Sequence, residues 1–370
     1  MRARKADILF LVLTILLSLG GFFIFSSASF KLLSSSGTTS FLKTLANQLL
    51  FGAAAGYAAM FMLSKINYRA WKIWGLWIFL FSLGATALVF VPHIGVTIGG
   101  ARRWIDIAGF SFQPSELLKI ASIIYMAGLL TRERSRIDTF RHGFVPLMLV
   151  LTLVGGILLA QPDTDTFAFL ALAILAMYIT AGGKWKHLLL AGIIGALCFL
   201  VLVETRPYLK ARVESFLHPA TSDELGDRYQ IEQSLIAIGS GGFWGRGFGQ
   251  SLQKFGYLLE PTTDSIFAVA AEEFGFVGAS AIIILFLLFA LRGLILAYKA
   301  PDAFGRVLII GIITLLVGQS FANIAALTGL IPLAGTPLLF VSHGGSALLF
   351  TLAACGIVLN ISSFRRRARA

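Results

Sequence analysis

Few side chains in this sequence can do chemistry, and most of them stand beside long apolar runs. Glu116 and Lys119 are three residues apart inside an otherwise apolar stretch. At about 100° per residue they lie about 60° apart on one helix face, close enough to pair. Ionisable groups in a membrane helix cost about 2.5–3.5 kcal/mol each on insertion scales. The two residues therefore read either as a helix-stabilising ion pair or as the lining of a polar pocket, and in both cases they face inward. Just upstream comes Gly100-Ala101-Arg102-Arg103-Trp104-Ile105. Arg and Trp there could be a plain interface anchor, although guanidinium forks also suit phosphate oxygens. Asp163 and Asp165 follow Pro162 at the start of another apolar run. Carboxylates in a first helical turn cap free N–H groups and complement the dipole. Asp264 opens a later run, after Glu260-Pro261-Thr262-Thr263. It too could be a cap, but a carboxylate where a long polar loop meets an apolar helix suits a general base for a lipid-linked substrate. Glu272 lies eight residues on, about 12 Å along the axis, and Glu273 falls nearly opposite Asp264.

The elements that must position these groups are membrane helices. The 370-residue chain is 57% hydrophobic and 13% charged, with mean hydropathy +0.84, whereas soluble domains are about 25% charged. A soluble core could not hide that much apolar surface. A bilayer can, because each span takes about 20 apolar residues. The apolar runs predict ten spans, near 8–30, 44–64, 73–92, 113–131, 144–161, 164–182, 187–205, 265–291, 307–330 and 344–361. The expected fold class is therefore an all-α polytopic membrane protein with ten transmembrane helices. With no linker or composition break, it reads as a single domain over 1–370.

Charge sets the orientation. One set of alternate connections holds 19 of the 30 basic residues: Arg2, Arg4, Lys5, Lys65, Arg69, Lys72, Arg132, Arg134, Arg136, Arg141, Lys184, Lys186, Arg292, Lys299, Arg306, Arg365, Arg366, Arg367 and Arg369. By the positive-inside rule this set, with both termini, faces the cytoplasm. The net charge of +12 is thus used for topology, and nucleic acid is not an expected partner. The apolar run from Ile8 to Phe25 exceeds the 7–15 residues of a signal h-region, so an uncleaved first helix is expected. Cys198 and Cys355 fall in apolar spans without metal-like spacing, which argues against disulfide or zinc roles. On the opposite side the loop of about 206–263 is long and charged, with Asp223, Glu224 and Asp227 among its acids, which suggests function rather than mere connection. In it, 233–238 reads as a short amphipathic helix. Gly239, Gly241, Gly242, Gly245, Gly247 and Gly249 follow, giving a backbone able to turn tightly. The interleaved Phe, Trp, Leu and Ile argue for packing against the membrane face.

Together these segments resemble the SEDS family (shape, elongation, division and sporulation), which includes RodA and FtsW. The resemblance is carried by GARRWIDIAGFSFQPSELLKIA at 100–121, QPDTDT at 161–166, the stretch from Tyr229 to Gly278, and NIAALTGLIPLAGTPLLFVSHGGSALL at 323–349. QSLQKFGYL at 250–258 and Lys5-Ala6-Asp7 look closer to the division branch, FtsW. The resemblance implies a peptidoglycan glycosyltransferase of the bacterial cytoplasmic membrane. Such an enzyme polymerises lipid II into β-1,4 glycan on the extracytoplasmic face, in division or elongation. A class B penicillin-binding protein would be its partner, among other divisome or elongasome membrane proteins. The family's essential aspartate falls on Asp264, its Glu and Lys on Glu116 and Lys119, and its Trp on Trp104. Arg102, Arg103, Lys119, Arg212, Arg228, Arg246 and Lys254 are candidates to bind the leaving pyrophosphate, as is a divalent cation (Mg or Mn) held by acidic groups. The chain departs from the family pattern at Thr262 and Ser265, which replace His and Phe, at Asp165, which replaces Gly, and at His343, which replaces Tyr. A lipid II flippase and a noncatalytic scaffold for the penicillin-binding protein are the alternative function classes. A flippase calls for charge through the depth of the bundle, whereas most candidates here cluster toward one surface.

Overall fold

The apolar runs fold into membrane-length helices in the computed structural model, which describes residues 6–35, 37–98, 101–107, 110–132, 136–217 and 226–364. The helices are α1 (Ile8–Ala28), α2 (Phe30–Ser35), α3 (Gly37–Ala46), α4 (Ala55–Lys65), α5 (Arg69–Ala87), α6 (Pro114–Arg132), α7 (Val145–Ala160), α8 (Thr164–Ala181), α9 (Trp185–Thr205), α10 (Pro207–Leu217), α11 (Asp227–Ser240), α12 (Ile266–Tyr298), α13 (Ala303–Leu327) and α14 (Gly345–Ser363). A π-helical stretch, Asn47–Ala54, joins α3 to α4. Among the described residues, nine helical passes are long and apolar enough to cross a membrane. The tenth pass, α6, is 19 residues long but carries Glu116 and Lys119 and falls short of that apolarity. Arg2, Arg4, Lys5, Gly100, Arg134, Asp223, Glu224, Arg365, Arg366, Arg367 and Arg369 lie outside the described residues.

Local chemistry sets several boundaries. Asp7 caps α1 by accepting from Phe10 N at 3.0 Å, Asp302 caps α13 by accepting from Gly305 N at 2.8 Å, and Gly182 ends α8 in the left-handed region at φ 101°. These are the side-chain and glycine caps that satisfy orphan backbone groups at helix ends. α14 forms the buried centre of the bundle and packs on α4, while α13 packs on α8 and α12, and α1 on α12. Small residues allow close approach: Gly56 lies against Leu349 and Leu352, and Gly356 against Met60. α9 is almost wholly exposed, as expected for a peripheral lipid-facing helix.

The structure departs from the sequence reading at two places. Three strands, β1 (Gly95–Ile98), β2 (Ala101–Ile107) and β3 (Phe110–Phe112), form a small antiparallel sheet in the order β1-β2-β3. The fold is the expected all-α membrane bundle, with the Arg-Arg-Trp-Ile-Asp-Ile stretch pairing as a strand in the connection between α5 and α6. The second departure concerns the span expected at 265–291. Its helix, α12, runs 33 residues and is broken at Gly275, where φ is 64° and ψ −163°. At 1.5 Å per residue the whole would be about 50 Å long, against a hydrocarbon thickness of about 30 Å. Beyond the break, 276–298 is long enough to cross that thickness by itself. The backbone groups freed there bond to the glycine-rich loop: Arg246 N donates to Glu272 O at 3.0 Å, Gly247 N to Glu273 O at 2.9 Å, Phe276 N to Gly242 O at 2.9 Å and Val277 N to Phe243 O at 3.2 Å. A helix break at membrane depth is tolerated when protein resatisfies its backbone in this way.

Candidate active site

Asp264 stands one residue before Ser265, the N-cap of α12, on a loop clamped from two sides. Asn323 of α13 donates from its amide to Asp264 O at 2.8 Å and to Thr336 O at 2.7 Å. From the irregular segment between α13 and α14, Ser342 Oγ donates to Thr263 O at 2.5 Å and His343 N to Thr262 O at 2.7 Å. The main chain is thus fixed, while nothing among the described residues donates a hydrogen bond to the Asp264 carboxylate. Part of that carboxylate stays accessible, but protein fills most of its surroundings. Loss of water there, reinforced by the negative charge of Glu260 and of Asp165, pushes its pKa up to about 7 against the pull of Arg212 and Arg103.

Three elements meet beside it at Gly335. The position a Cβ would take on this glycine is 3.1 Å from Arg212 Nη2, 3.7 Å from Asp264 Oδ2 and 3.8 Å from Asp165 Oδ2. Gly335 N donates to Asp165 Oδ2 at 3.0 Å, and Arg212 Nη1 donates to the same oxygen at 2.9 Å. Arg212 Nε also lies 3.6 Å from Asp227 Oδ2. Asp165 is therefore the anchor of an arginine rather than a helix cap. Asp227, on α11, is drawn into the same cluster, with a carboxyl raised by burial and lowered in turn by Arg212.

One turn deeper on α13, Gln319 shares the face of Asn323. Lys119 Nζ is 2.9 Å from Glu116 Oε1 and donates to Gln319 Oε1 at 3.1 Å, all three residues being buried. The predicted pair forms and points inward. Arg103 bonds the α7–α8 turn, with Nε donating to Gln161 O at 3.0 Å, Nη2 donating to Pro162 O, and Nη1 lying 3.5 Å from Asp163 Oδ1. Strand alternation on β2 sends Arg102 and Trp104 to the other face. There Arg102 is exposed with its stem against Gly95, and Trp104 is half-buried opposite Val96. Four buried polar atoms on residues beside or bonded to this cluster have no hydrogen-bond partner: Ser115 Oγ, Asp163 Oδ2, Asn323 Oδ1 and Thr336 Oγ1. Among the described residues no three His, Cys, Asp or Glu side chains group as a metal cage. Between Asp165 and Asp227 the positive charge is a guanidinium.

The profile of the FtsW/RodA/SpoVE family, described as "Cell cycle protein", matches residues 6–367. The chain belongs to this family. Stage V sporulation protein E of Bacillus subtilis (strain 168) is 39% identical over 365 residues, covering 99% of each chain. The probable peptidoglycan glycosyltransferase FtsW of Geobacter sp. (strain M18) is 38% identical over 369 residues, again 99% of each. Among solved structures, a chain from "Structural coordination of polymerization and crosslinking by a peptidoglycan synthase complex" superposes with TM-score 0.78 at 26% identity, covering 98% of this chain and 99% of that one. Thermus thermophilus rod shape determining protein RodA superposes with TM-score 0.70 at 26% identity, covering 98% of both. The SEDS resemblance and the multi-pass membrane fold are thereby established.

Within this FtsW/RodA/SpoVE protein, three of the cations grouped with the pyrophosphate candidates are committed elsewhere. Lys254 is fully buried, with Nζ 2.7 Å from Glu273 Oε1 and donating to Ser27 Oγ at 3.0 Å. Arg246 Nε lies 3.6 Å from Glu272 Oε1. Glu272 also accepts from Ser251 Oγ at 2.5 Å and Leu252 N at 3.0 Å. Both basic residues fasten the glycine-rich loop to α12, because a buried charge is retained only when paired. Arg228 likewise pairs with Glu232 on its own helix, at 2.7 Å. Conversely, the sequence reading gave no role to Gln319, Asn323 or Gly335. Two carboxamides four residues apart in an apolar run were the available signal.

Proposed function

We propose that the chain is a membrane-embedded peptidoglycan glycosyltransferase that polymerises lipid II, with Asp264 as general base and a class B penicillin-binding protein as partner. The observation that carries the proposal is the Asp264 carboxylate itself: rigidly mounted, free of internal donors and with its pKa near 7. A base so tuned is half-ionised at working pH and strong enough to take an alcohol proton as it becomes acidic in the transition state. Asp264 removes the proton from the acceptor's GlcNAc 4-hydroxyl, whose oxygen bonds to C1 of the donor's lactyl sugar. The C1–O bond to undecaprenyl pyrophosphate breaks, and that group leaves with the electron pair. An α-linked donor gives a β-1,4 linkage, so one displacement with inversion suffices and no covalent enzyme intermediate forms. Arg212 and Arg103, the two cations whose charge acts on Asp264, are placed to offset the growing negative charge on the pyrophosphate. The unpartnered buried atoms supply further donors and acceptors for the sugar head groups, since buried polar groups ordinarily find partners. The names of the curated relatives and the likeness to a synthase-complex chain support the same reading, as does the positive-inside bias for an extracytoplasmic site.

The test is polymerisation of lipid II by the purified chain with its penicillin-binding protein. Asp264→Asn keeps the shape and removes the base, and the expected loss is at least about 10²-fold. Undiminished polymer would remove Asp264 as base. Lipid II crossing a liposome membrane without glycan formation would favour transport instead.

A further inference from the structure

Phe243, Trp244 and Phe248 project from the glycine-rich loop and are exposed, Trp244 at 78%. We infer that residues 241–249 are seated in the lipid bilayer, with these three rings at the acyl-chain and headgroup boundary of the leaflet on the Asp264 side. Two helices give the depth independently. Asp7 of the α1 cap and Arg292 of α12 form an ion pair at 2.5 Å, so they mark one level of the bundle. Phe23 is sixteen residues above Asp7, and Phe276 sixteen residues above Arg292. At 1.5 Å per residue both stand about 24 Å above the pair. Phe248 stacks on Phe23 with centroids 4.3 Å apart, and Phe243 on Phe276 at 5.9 Å. With the ion pair at one edge of a hydrocarbon layer about 30 Å thick, the loop rings lie inside the far leaflet.

Surface chemistry agrees with this depth. Phe23 and Phe276 belong to membrane-crossing helices and are themselves exposed, at 51% and 65%, so the loop's aromatic surface continues a lipid-facing one. The one charged residue in 241–249, Arg246, turns toward Glu272. Ser27 and Glu273, which hold Lys254, come out about 30 Å and about 28 Å above the ion pair, at the boundary, and are sealed from solvent. Aromatic rings on the lipid side of a charged boundary form the aromatic belt of membrane proteins. The loop also completes the break at Gly275, and the segment above that break leads to Asp264. Its seating therefore sets the height of Asp264 over the membrane.

Spin labels on cysteines placed at 243, 244 and 248 report the depth. The full-length Cys198→Ser/Cys355→Ser chain in phosphatidylethanolamine–phosphatidylglycerol vesicles is the host, with a label at 232 on α11 as the aqueous control. Oxygen collisions are expected to exceed those of a water-soluble nickel chelate severalfold at the three loop sites, with the reverse at 232. Dominant nickel collisions at the loop sites would overturn the proposal, and so would protection from both reagents, which means protein covers the surface. Trp244→Phe in the otherwise native chain gives a check free of cysteine changes. It should remove a share of the tryptophan quenching caused by brominated lipids, and unchanged quenching counts against the seating.

Discussion

At the scale of single residues, the catalytic proposal turns on how neighbouring charges tune Asp264. The base acts ionised, so activity follows the ionised fraction and falls tenfold per pH unit below the carboxyl's pKa, which stands at about 7. Glu260 is among the groups that raise this pKa and Arg212 among those that lower it. Glu260→Gln should therefore move the acid limb of the kcat/KM profile to lower pH, and Arg212→Gln to higher pH. Lipid II polymerisation rates across pH 5–8 check both signs, and shifts in the same direction for the two variants would break the electrostatic account. Position alone leaves Asp264 as either a cap or a base, and it is the SEDS resemblance that singles it out. Its environment could not be read from the sequence, because Gly335, Asn323 and Arg212 reach it from three separate elements. Asp165 shows the limit most clearly. First-turn position suggested a cap, whereas its oxygen is spent on Arg212 and Gly335 N.

At the scale of elements, the glycine-rich loop and α12 act as one unit. Its buried centre is Lys254 against Glu273, beside Ser27 and Ser251. Lys254→Met strands the Glu273 carboxylate in a sealed site, a change that costs about 3–5 kcal/mol. The thermal midpoint of the purified chain in detergent should fall clearly, and Lys254→Met with Glu273→Met should recover most of it. An unchanged midpoint in the single variant would mean the ammonium does not hold the loop. Span positions were readable because twenty apolar residues have one economical home. The break at Gly275 was not, since a lone glycine in a helical pattern is ambiguous. Here the glycine is required: a Cβ would collide with Gly245 N, and φ is 64°. The strand at 101–107 was hidden for a related reason, its pairing depending on the neighbouring strands β1 and β3.

At the scale of the whole molecule, polarity along the membrane normal unites the pattern of charge with the placement of the site. Basic connections gather at the end that holds Asp7, Arg292 and Lys184, whereas Asp264, Arg212 and the loop clamp gather at the other. Under the proposed function, a lipid-linked sugar polymerised outside the cell requires the second end to face outward, which is the orientation expected from the positive-inside bias. Glu232→Cys, at an exposed position of α11, should react with a membrane-impermeant maleimide in intact cells, in a Cys198→Ser/Cys355→Ser chain. Lys186→Cys, on the short α8–α9 connection, should react only after permeabilisation. Reversed labelling would put Asp264 in the cytoplasm, where a base for lipid II polymerisation has no extracellular acceptor strand to activate. The same reversal would leave the spin-label depths unchanged, because depth in a leaflet does not depend on which side that leaflet faces. The two experiments therefore separate the orientation of the bundle from the seating of its loop.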